Sequence, residues 1–255
     1  MRNLFRIAVK AIFCYDSAME NTQNHHEPHS PKSGRKLNWL RAAVLGANDG
    51  IVSTASIIVG VAGASSSRAF ILTAGVAGLV AGALSMGVGE YISVSTQRDT
   101  EKALIEKERG ELANNPNVEL EELAHIYMSK GLSAQTASTV AKELTEHDVI
   151  AAHLDAELGL DPKNLTNPWH AAFASTSAFF CGAIVPVIIV AVSPAYARIA
   201  GTFFGVIIAL IITGSLSAYA GGSNKTKATI RVVIGGLLAM AVTFGIGRLF
   251  GVNGI

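Results

Sequence analysis

Two carboxylates lie within long apolar stretches of the sequence, where a charged side chain is costly. Asp49 falls inside the apolar run from Ala42 to Ala62, and Glu90 closes another run that begins near Ala69. Placing an acid near the centre of a membrane helix costs about 2.5 to 3.5 kcal/mol even on a lenient insertion scale. An acid in such a position therefore indicates an ion or proton pathway.

The neighbours of these acids are potential metal ligands. Asn48 and Asp49 place two oxygen donors side by side, and Met86 and Glu90, four residues apart, share one face of a predicted helix. A thioether beside a carboxylate suits a borderline divalent metal better than sodium or a proton alone. Two simpler interpretations stay open: Met86 fills a core, and Glu90 lies at the membrane interface, where a carboxylate reaches water at little cost.

The composition is typical of a helical membrane protein. Of 255 residues, 50% are hydrophobic, 15% are charged and 25 are glycine, a balance that a water-soluble core does not need. A helix requires about 20 apolar residues to cross a bilayer. Glycines four residues apart, such as Gly46 and Gly50, predict close helix packing. Suitable runs occur at 42–62, 70–92, 171–192, 199–219 and 229–250, which predicts five transmembrane helices.

Basic residues beside the spans predict their orientation. They are concentrated before the first span and between the fourth and fifth, which predicts a cytoplasmic N-terminus and a cytoplasmic segment between the second and third spans. The compact loops and the absence of a targeting segment favour a bacterial plasma membrane. The residues used are Arg35, Lys36, Arg41, Lys225, Lys227 and Arg231, against Arg68 and Arg198 in the other two loops.

The N-terminal segment, residues 1–36, is predicted to be flexible and cytoplasmic. Its His25, His26 and His29 could capture a metal loosely, but a histidine-rich tail among Asn, Pro and Ser is more often a solvated linker. The two cysteines of the chain have no partner at disulfide or metal-site spacing, so we expect plain thiols.

Charge is concentrated between the second and third spans. Residues 97–160 hold thirteen acidic and six basic residues, a net charge of −7 in a chain whose total is +1. Such an acidic module concentrates cations rather than nucleic acid. Asn114-Asn115-Pro116 ends a helix that continues the second span, Gly131 ends the next helix, and Ser133 caps a third that reaches Glu157. These three helices predict a compact cap.

Two pairs of glutamates in this module have helical spacing. Glu108 and Glu111 are three residues apart on the first helix, and Glu119 and Glu122 repeat that spacing on the second, so each pair projects from one face. Facing pairs could hold a divalent ion: oxygen ligands suit Mg, Ca, Mn and ferrous iron, and nearby histidines suit the later transition metals. Glu-rich helices are also commonly solvated surfaces, and that interpretation stays open here.

Three sequence motifs closely resemble those of the vacuolar iron transporter family. They are LRAAVLGANDGIVS at residues 40–53, LSMGVGEYIS at 84–93 and QRD at 97–99, and the likeness spans about 37–250. This resemblance implies a homodimer of five-span protomers that exports ferrous iron, and often manganese, from the cytosol in exchange for protons. Zinc and cobalt are further candidate substrates, and no prosthetic group is expected.

The resemblance also implies roles for individual residues. The family's intramembrane Asp and Met match Asp49 and Met86, which are expected to line a translocation path between protomers, with Glu90 and Asn48 as its other candidate residues. Where some relatives carry a methionine pair, this chain has His153 and Leu154, and His153 could replace a ligand. The family's cytoplasmic metal-binding glutamates match Glu108, Glu111, Glu119, Glu122 and Glu157.

Taken together, these patterns predict an all-α membrane protein with five transmembrane helices and a three-helix cytoplasmic metal-binding cap between the second and third spans. The predicted function is a divalent metal transporter that moves ferrous iron, and possibly manganese, out of the cytosol by proton antiport. A membrane-anchored metal sensor or storage protein is the alternative. The predicted domains are 1–36, 37–96 with two membrane helices, 97–165 with the metal-binding cap, and 166–255 with three membrane helices.

A membrane enzyme that uses Asp49 as a proton carrier is not expected. An enzyme needs a second positioned group and a substrate cavity, and the later spans hold hardly any ionisable residue beyond Arg198, Arg231 and Arg248. The expected partners are divalent metal ions, protons, the lipid bilayer and a second copy of the chain, without nucleic acid.

Overall fold

The computed structural model describes residues 32–162 and 165–252, and all regular elements within these ranges are helical. No strand occurs in them, which confirms the all-α prediction. The three histidines of the N-terminal segment and Cys14 lie outside the described residues, and the first described helix begins at Lys32.

Seven α-helices follow one another in the described part of the chain. A π-helical turn, Leu154–Leu158, follows the fourth, and a 3₁₀ turn, Ala195–Ala197, precedes the sixth. The helices are α1 (Lys32–Ala64), α2 (Arg68–Asn114), α3 (Pro116–Ser129), α4 (Ala134–His153), α5 (Pro168–Val192), α6 (Arg198–Ala220) and α7 (Lys225–Val252).

Five segments are long and apolar enough to cross a membrane, which confirms the predicted number of spans. The chain is therefore an integral, multi-pass membrane protein. Helix α2 has 47 residues. At 1.5 Å per residue it is roughly 70 Å long, so its charged C-terminal part extends beyond a hydrocarbon layer of about 30 Å. The segments are Ala43–Ala64, Arg68–Asn114, Pro168–Val192, Ala195–Tyr219 and Lys225–Gly251.

The chain folds into two compact units. Among the described residues, the apolar unit comprises 32–88 and 172–252, and the charged unit lies within Gly89–Ala171. The boundary lies within α2, so this helix contributes its N-terminal part to the apolar unit and its C-terminal part to the charged unit.

Helix α1 lies at the centre of the apolar unit. Its Ile51 and Val59 are buried in a core built with residues of α6 and α7. On another side, Gly46 and Gly50 contact α5, and a Cβ atom at Gly50 would collide with the backbone carbonyl oxygen of Phe179. The close packing predicted from the spacing of these glycines is therefore confirmed for α1, because only a residue without a side chain allows this approach.

The charged unit contains the C-terminal part of α2 together with α3, α4 and the π-helical turn. Ser133 caps α4, since its Oγ atom accepts a hydrogen bond from the backbone N–H of Thr136 at 3.3 Å, as the sequence predicted. Tyr91 and Trp169 lie near the first and the last residue of this unit in the sequence, and their rings pack with centroids 4.7 Å apart. Apolar residues from all three helices and the turn are buried, namely Ile105, Leu123, Ala137, Ala141 and Leu154.

The prediction of one continuous helix from Ser133 to Glu157 is wrong at Asp148. This residue has non-helical backbone angles (φ −159°, ψ 92°), and its Oδ1 atom accepts a hydrogen bond from the backbone N–H of Ala151 at 3.1 Å. An aspartate in that role is typical of the start of a new helix. The helix then widens into the π-helical turn and ends at Gly159, which has φ 61°.

Candidate metal site

Four potential metal ligands meet inside the charged unit. Glu108 comes from α2, Glu119 from α3, His153 from the end of α4 and Glu157 from the π-helical turn. One potential ligand atom of each residue lies within 4.8 Å of those of the other three. We call these residues the four-ligand cluster.

The distances around His153 suit a shared cation. Its Nδ1 atom lies 3.0 Å from Oε1 of Glu157 and 3.1 Å from Oε1 of Glu108. Adjacent ligands of one ion bound at about 2.1 Å are about 3.0 Å apart in octahedral geometry. The four-ligand cluster therefore needs little rearrangement to surround a small divalent ion, and its donor set of carboxylates and one imidazole fits manganese, ferrous iron or zinc.

Two polar atoms of the cluster are buried without a hydrogen bond. Oε1 of Glu108 and Nε2 of His153 have no hydrogen-bond partner within the described ranges, although His153 is fully buried and Glu108 nearly so. Buried polar groups normally form hydrogen bonds, so each exception calls for an explanation. The carboxylate oxygen faces the cluster at 3.1 Å from the imidazole Nδ1 atom without forming a hydrogen bond to it, a position in which it could serve as a metal ligand.

Burial makes the metal-free cluster electrostatically unfavourable. Burial is the main cause that raises the pKa of the Glu108 carboxyl group, and the negative charge of Glu157 raises this pKa further. Burial likewise raises the pKa of Glu119, with a further contribution from Glu122. His153 acts in the opposite direction on both groups. The site therefore favours the uptake of positive charge, either as a proton or as a metal ion.

Two of the predicted ligands do not join this group. Glu111 forms an ion pair with Lys107 one turn away, at 2.9 Å, and Glu122 is exposed. Both nevertheless raise the pKa of Glu119, so they act on the four-ligand cluster through their charge. The three-residue spacing predicts that both members of a pair lie on one side of a helix, but the rotation of each helix decides which member points inward.

Asp49 occupies an open position on the first membrane-spanning segment. Its side chain is exposed in the single chain, and within the described ranges it forms no ion pair. The Ser53 hydroxyl donates a hydrogen bond to the backbone oxygen of Asp49 and so leaves the carboxylate free. Met86, the second predicted path residue, is half-buried. It packs against the cluster of Leu79, Ala83, Phe179 and Ala183.

The remaining two predicted path residues have different surroundings. Glu90 is half-buried and belongs to the charged unit. Asn48 is half-buried, and its Oδ1 atom accepts a hydrogen bond from the hydroxyl of Thr213 on α6 at 2.6 Å, so this oxygen is not a free ligand. No sequence pattern distinguishes Thr213, because a single threonine in an apolar span is commonplace.

Comparisons with known proteins identify the family. The profile of the VIT family matches residues 40–248. A protein named "Vacuolar iron transporter" from Acanthamoeba castellanii is 44% identical over 224 residues, which cover 88% of this chain and 82% of the relative. Proteins named "Vacuolar iron transporter homolog 1" from Oryza sativa subsp. japonica and Arabidopsis thaliana are each 37% identical, over 86% and 87% of this chain and 77% and 88% of their own lengths. Because the match includes the membrane-spanning helices as well as the four-ligand cluster, the chain belongs to the VIT family.

Proposed function

We propose that this protein transports divalent metal ions across a membrane, with ferrous iron as its main substrate and manganese as a second. The VIT family consists of transporters, which confirms that the chain is not an enzyme. The observation that carries the proposal is Asp49: a carboxylate on a membrane-spanning helix, exposed in the single chain and without an ion-pair partner in the described ranges. A charged side chain in a membrane span is costly, so its presence favours a role in an ion pathway.

The four-ligand cluster is the proposed collecting site for the ion. Its three carboxylates attract hydrated cations, and the imidazole of His153 adds a nitrogen ligand that favours transition metals over magnesium and calcium. Glu111 and Glu122 increase the negative potential around it. In this proposal the acidic module at residues 97–165 is cytoplasmic, as the basic residues beside the membrane spans predict.

Proton antiport is the proposed source of energy. A carboxylate binds either a proton or a metal ion at one time, so a proton that arrives from the far side of the membrane can displace the metal from Asp49. Met86 is the proposed soft ligand beside that carboxylate. The N-terminus and the acidic module are taken to be cytoplasmic. The ion is then collected on the cytoplasmic side and leaves the cytosol.

A homodimer is the proposed form of the transporter. In the single chain Asp49 is exposed, and Leu45, one helical turn before it, is 60% exposed. A carboxylate that faces hydrocarbon is strongly disfavoured, whereas a second copy packed on this side would enclose the carboxylate in a path between protomers. Cross-linking of the purified protein in membranes tests this arrangement.

Metal flux into proteoliposomes tests the proposed function. The purified protein is reconstituted into liposomes. Uptake of ferrous iron, manganese, zinc and cobalt is measured without a pH gradient and with an acidic interior, from which protons can flow outward. We expect saturable uptake of iron and manganese that the gradient accelerates, together with proton movement in the opposite direction. Uptake no faster than in empty liposomes for all four metals would refute transport, and uptake that is insensitive to the gradient would refute antiport.

A metal sensor or storage protein is the second candidate. It is favoured by one observation: the four-ligand cluster forms entirely within the charged unit and needs no residue of the apolar unit. The same experiment separates the two functions, because a sensor or storage protein would bind metal at a fixed stoichiometry without flux.

The type of membrane is a separate proposal. The sequence favoured a bacterial plasma membrane, whereas the relatives named above come from eukaryotes and carry the word vacuolar in their names. Fractionation of the source cells, with the protein detected by antibody, decides between a plasma membrane and an organelle.

A further inference from the structure

One hydrogen bond connects two membrane-spanning helices at Asn48, the residue that precedes Asp49. The hydroxyl of Thr213 on α6 donates to Oδ1 of Asn48 on α1 at 2.6 Å, and the two residues are 165 positions apart in the chain. Both side chains are half-buried within the apolar unit. The same hydroxyl lies 3.4 Å from the backbone oxygen of Leu210, so the shorter bond makes Asn48 its main acceptor. A hydrogen bond between side chains of two membrane helices fixes the orientation of the Asn48 amide.

The backbone of α1 is held from two directions at this level. Gly46 and Gly50 contact α5 so closely that a Cβ atom at Gly50 would collide with its backbone, and Thr213 binds Asn48 from α6. The side of α1 that carries Asp49 is the open one. Together with the core that α1 forms with α6 and α7, these two contacts set the rotation of α1 about its own axis and with it the side from which Asp49 projects.

We propose that Thr213 is a positioning residue for metal transport. Its hydroxyl donates to the oxygen of the Asn48 amide and so holds this side chain against α6. Without the hydroxyl, the amide can rotate, and its N–H groups can donate to the neighbouring carboxylate, which then loses an oxygen atom that would bind the metal. This inference rests on the proposed role of Asp49 in the path.

Flux measurements on Thr213 variants test the inference. In Thr213→Val the shape of the side chain is kept and the hydroxyl is lost, whereas Thr213→Ser keeps the hydroxyl. From the net strength of one hydrogen bond, we expect the apparent KM for manganese flux in proteoliposomes to rise about five- to tenfold in the valine variant. The maximal rate should stay within about twofold, and serine should restore the KM because it restores the donor.

A matched control separates positioning from a general loss of stability. Ser215, two residues further along α6, forms a hydroxyl pair with Thr229 on α7 at 3.2 Å. Ser215→Ala therefore removes a comparable contact between membrane helices that does not involve Asn48. We expect this variant to keep the wild-type KM even if its melting temperature falls as much as that of Thr213→Val. A KM that rises equally in both variants would overturn the positioning role.

Two further variants keep the outcomes distinct. If Asp49→Asn transports at the wild-type rate, the proposed function fails. If Asp49→Asn is inactive while Thr213→Val keeps the wild-type KM, the proposed function stands and the positioning role is refuted. Should the valine variant fail to fold, Thr213→Ala removes the same hydroxyl with a smaller side chain, with the same rise in KM expected and an unchanged KM as the contrary result.

Discussion

Replacing Glu108 by glutamine is expected to weaken metal binding and to stabilise the metal-free protein at the same time. Glu108 belongs to the four-ligand cluster, and its buried Oε1 atom has no hydrogen-bond partner in the described part of the chain. A carboxylate that exists to bind a cation is unfavourable when the cation is absent. The two measurements should therefore move in opposite directions, which a purely structural carboxylate would not cause.

The size of both effects follows from the geometry. With ligand atoms no more than 4.8 Å apart, two ionised carboxylates repel each other by about 3.5 kcal/mol at an effective dielectric constant of about 20. Proton uptake relieves part of this repulsion, so we expect a gain of about 1 to 2 kcal/mol, or about 2 to 8 °C in melting temperature. Loss of an outer-shell partner weakens metal binding about 10- to 100-fold, so loss of a direct ligand should cost at least about 100-fold.

Calorimetric titration of the full-length protein with manganese, together with thermal unfolding after chelation, measures both quantities. Glu106→Gln is the matched control, because Glu106 lies on the same helix and its exposed carboxylate pairs with Arg109 at 2.6 Å. The control should change neither quantity appreciably. Unchanged manganese affinity in Glu108→Gln, or a lower melting temperature of its metal-free form, would refute the interpretation of Glu108 as a ligand.

Three further predictions concern the same two units. The pKa values of Glu108 and Glu119 in the folded protein are raised above the ordinary 4.5. Between pH 4.5 and these raised values, the folded metal-free protein therefore holds more protons than the unfolded chain. The stability of wild type relative to Glu108→Gln should therefore fall as pH rises through this range, in thermal unfolding at several pH values. Glu119→Gln should weaken manganese binding in calorimetry far more than Glu122→Gln, and equal losses would contradict the cluster. Gly50→Ala should lower stability by about 1 to 3 kcal/mol in thermal unfolding, whereas Gly245→Ala, whose added Cβ meets nothing within 4 Å, should not.

The membrane architecture could be predicted from the sequence because its signals are local. Each span is a continuous apolar run whose length matches the bilayer, and the close contact at Gly50 follows from the spacing of two glycines in α1. The cap of α4 at Ser133 was also predictable, since an N-cap depends on a side chain and an amide three residues away.

The composition of the candidate site could be predicted only in part. Helical spacing identified Glu108 and Glu119, but the same spacing selected Glu111 and Glu122 equally, and only the packing of α2 and α3 distinguishes the two sets. The break at Asp148 is not marked by a glycine or a proline, the usual helix breakers, so the sequence did not distinguish it from the helical pattern around it. The hydrogen bond between Thr213 and Asn48 could not be predicted either, because the two residues are far apart in the sequence and neither the apolar runs nor the helical spacing relates them.

The flux of manganese through proteoliposomes that contain Asp49→Asn tests the central claim most directly. This substitution removes the negative charge from the first membrane-spanning segment and leaves the four-ligand cluster intact. We expect the variant to fold, to bind manganese at the four-ligand cluster with the wild-type affinity in calorimetry, and to transport it no faster than empty liposomes do. Flux at the wild-type rate would contradict the claim that an exposed carboxylate in the membrane passes the metal ion.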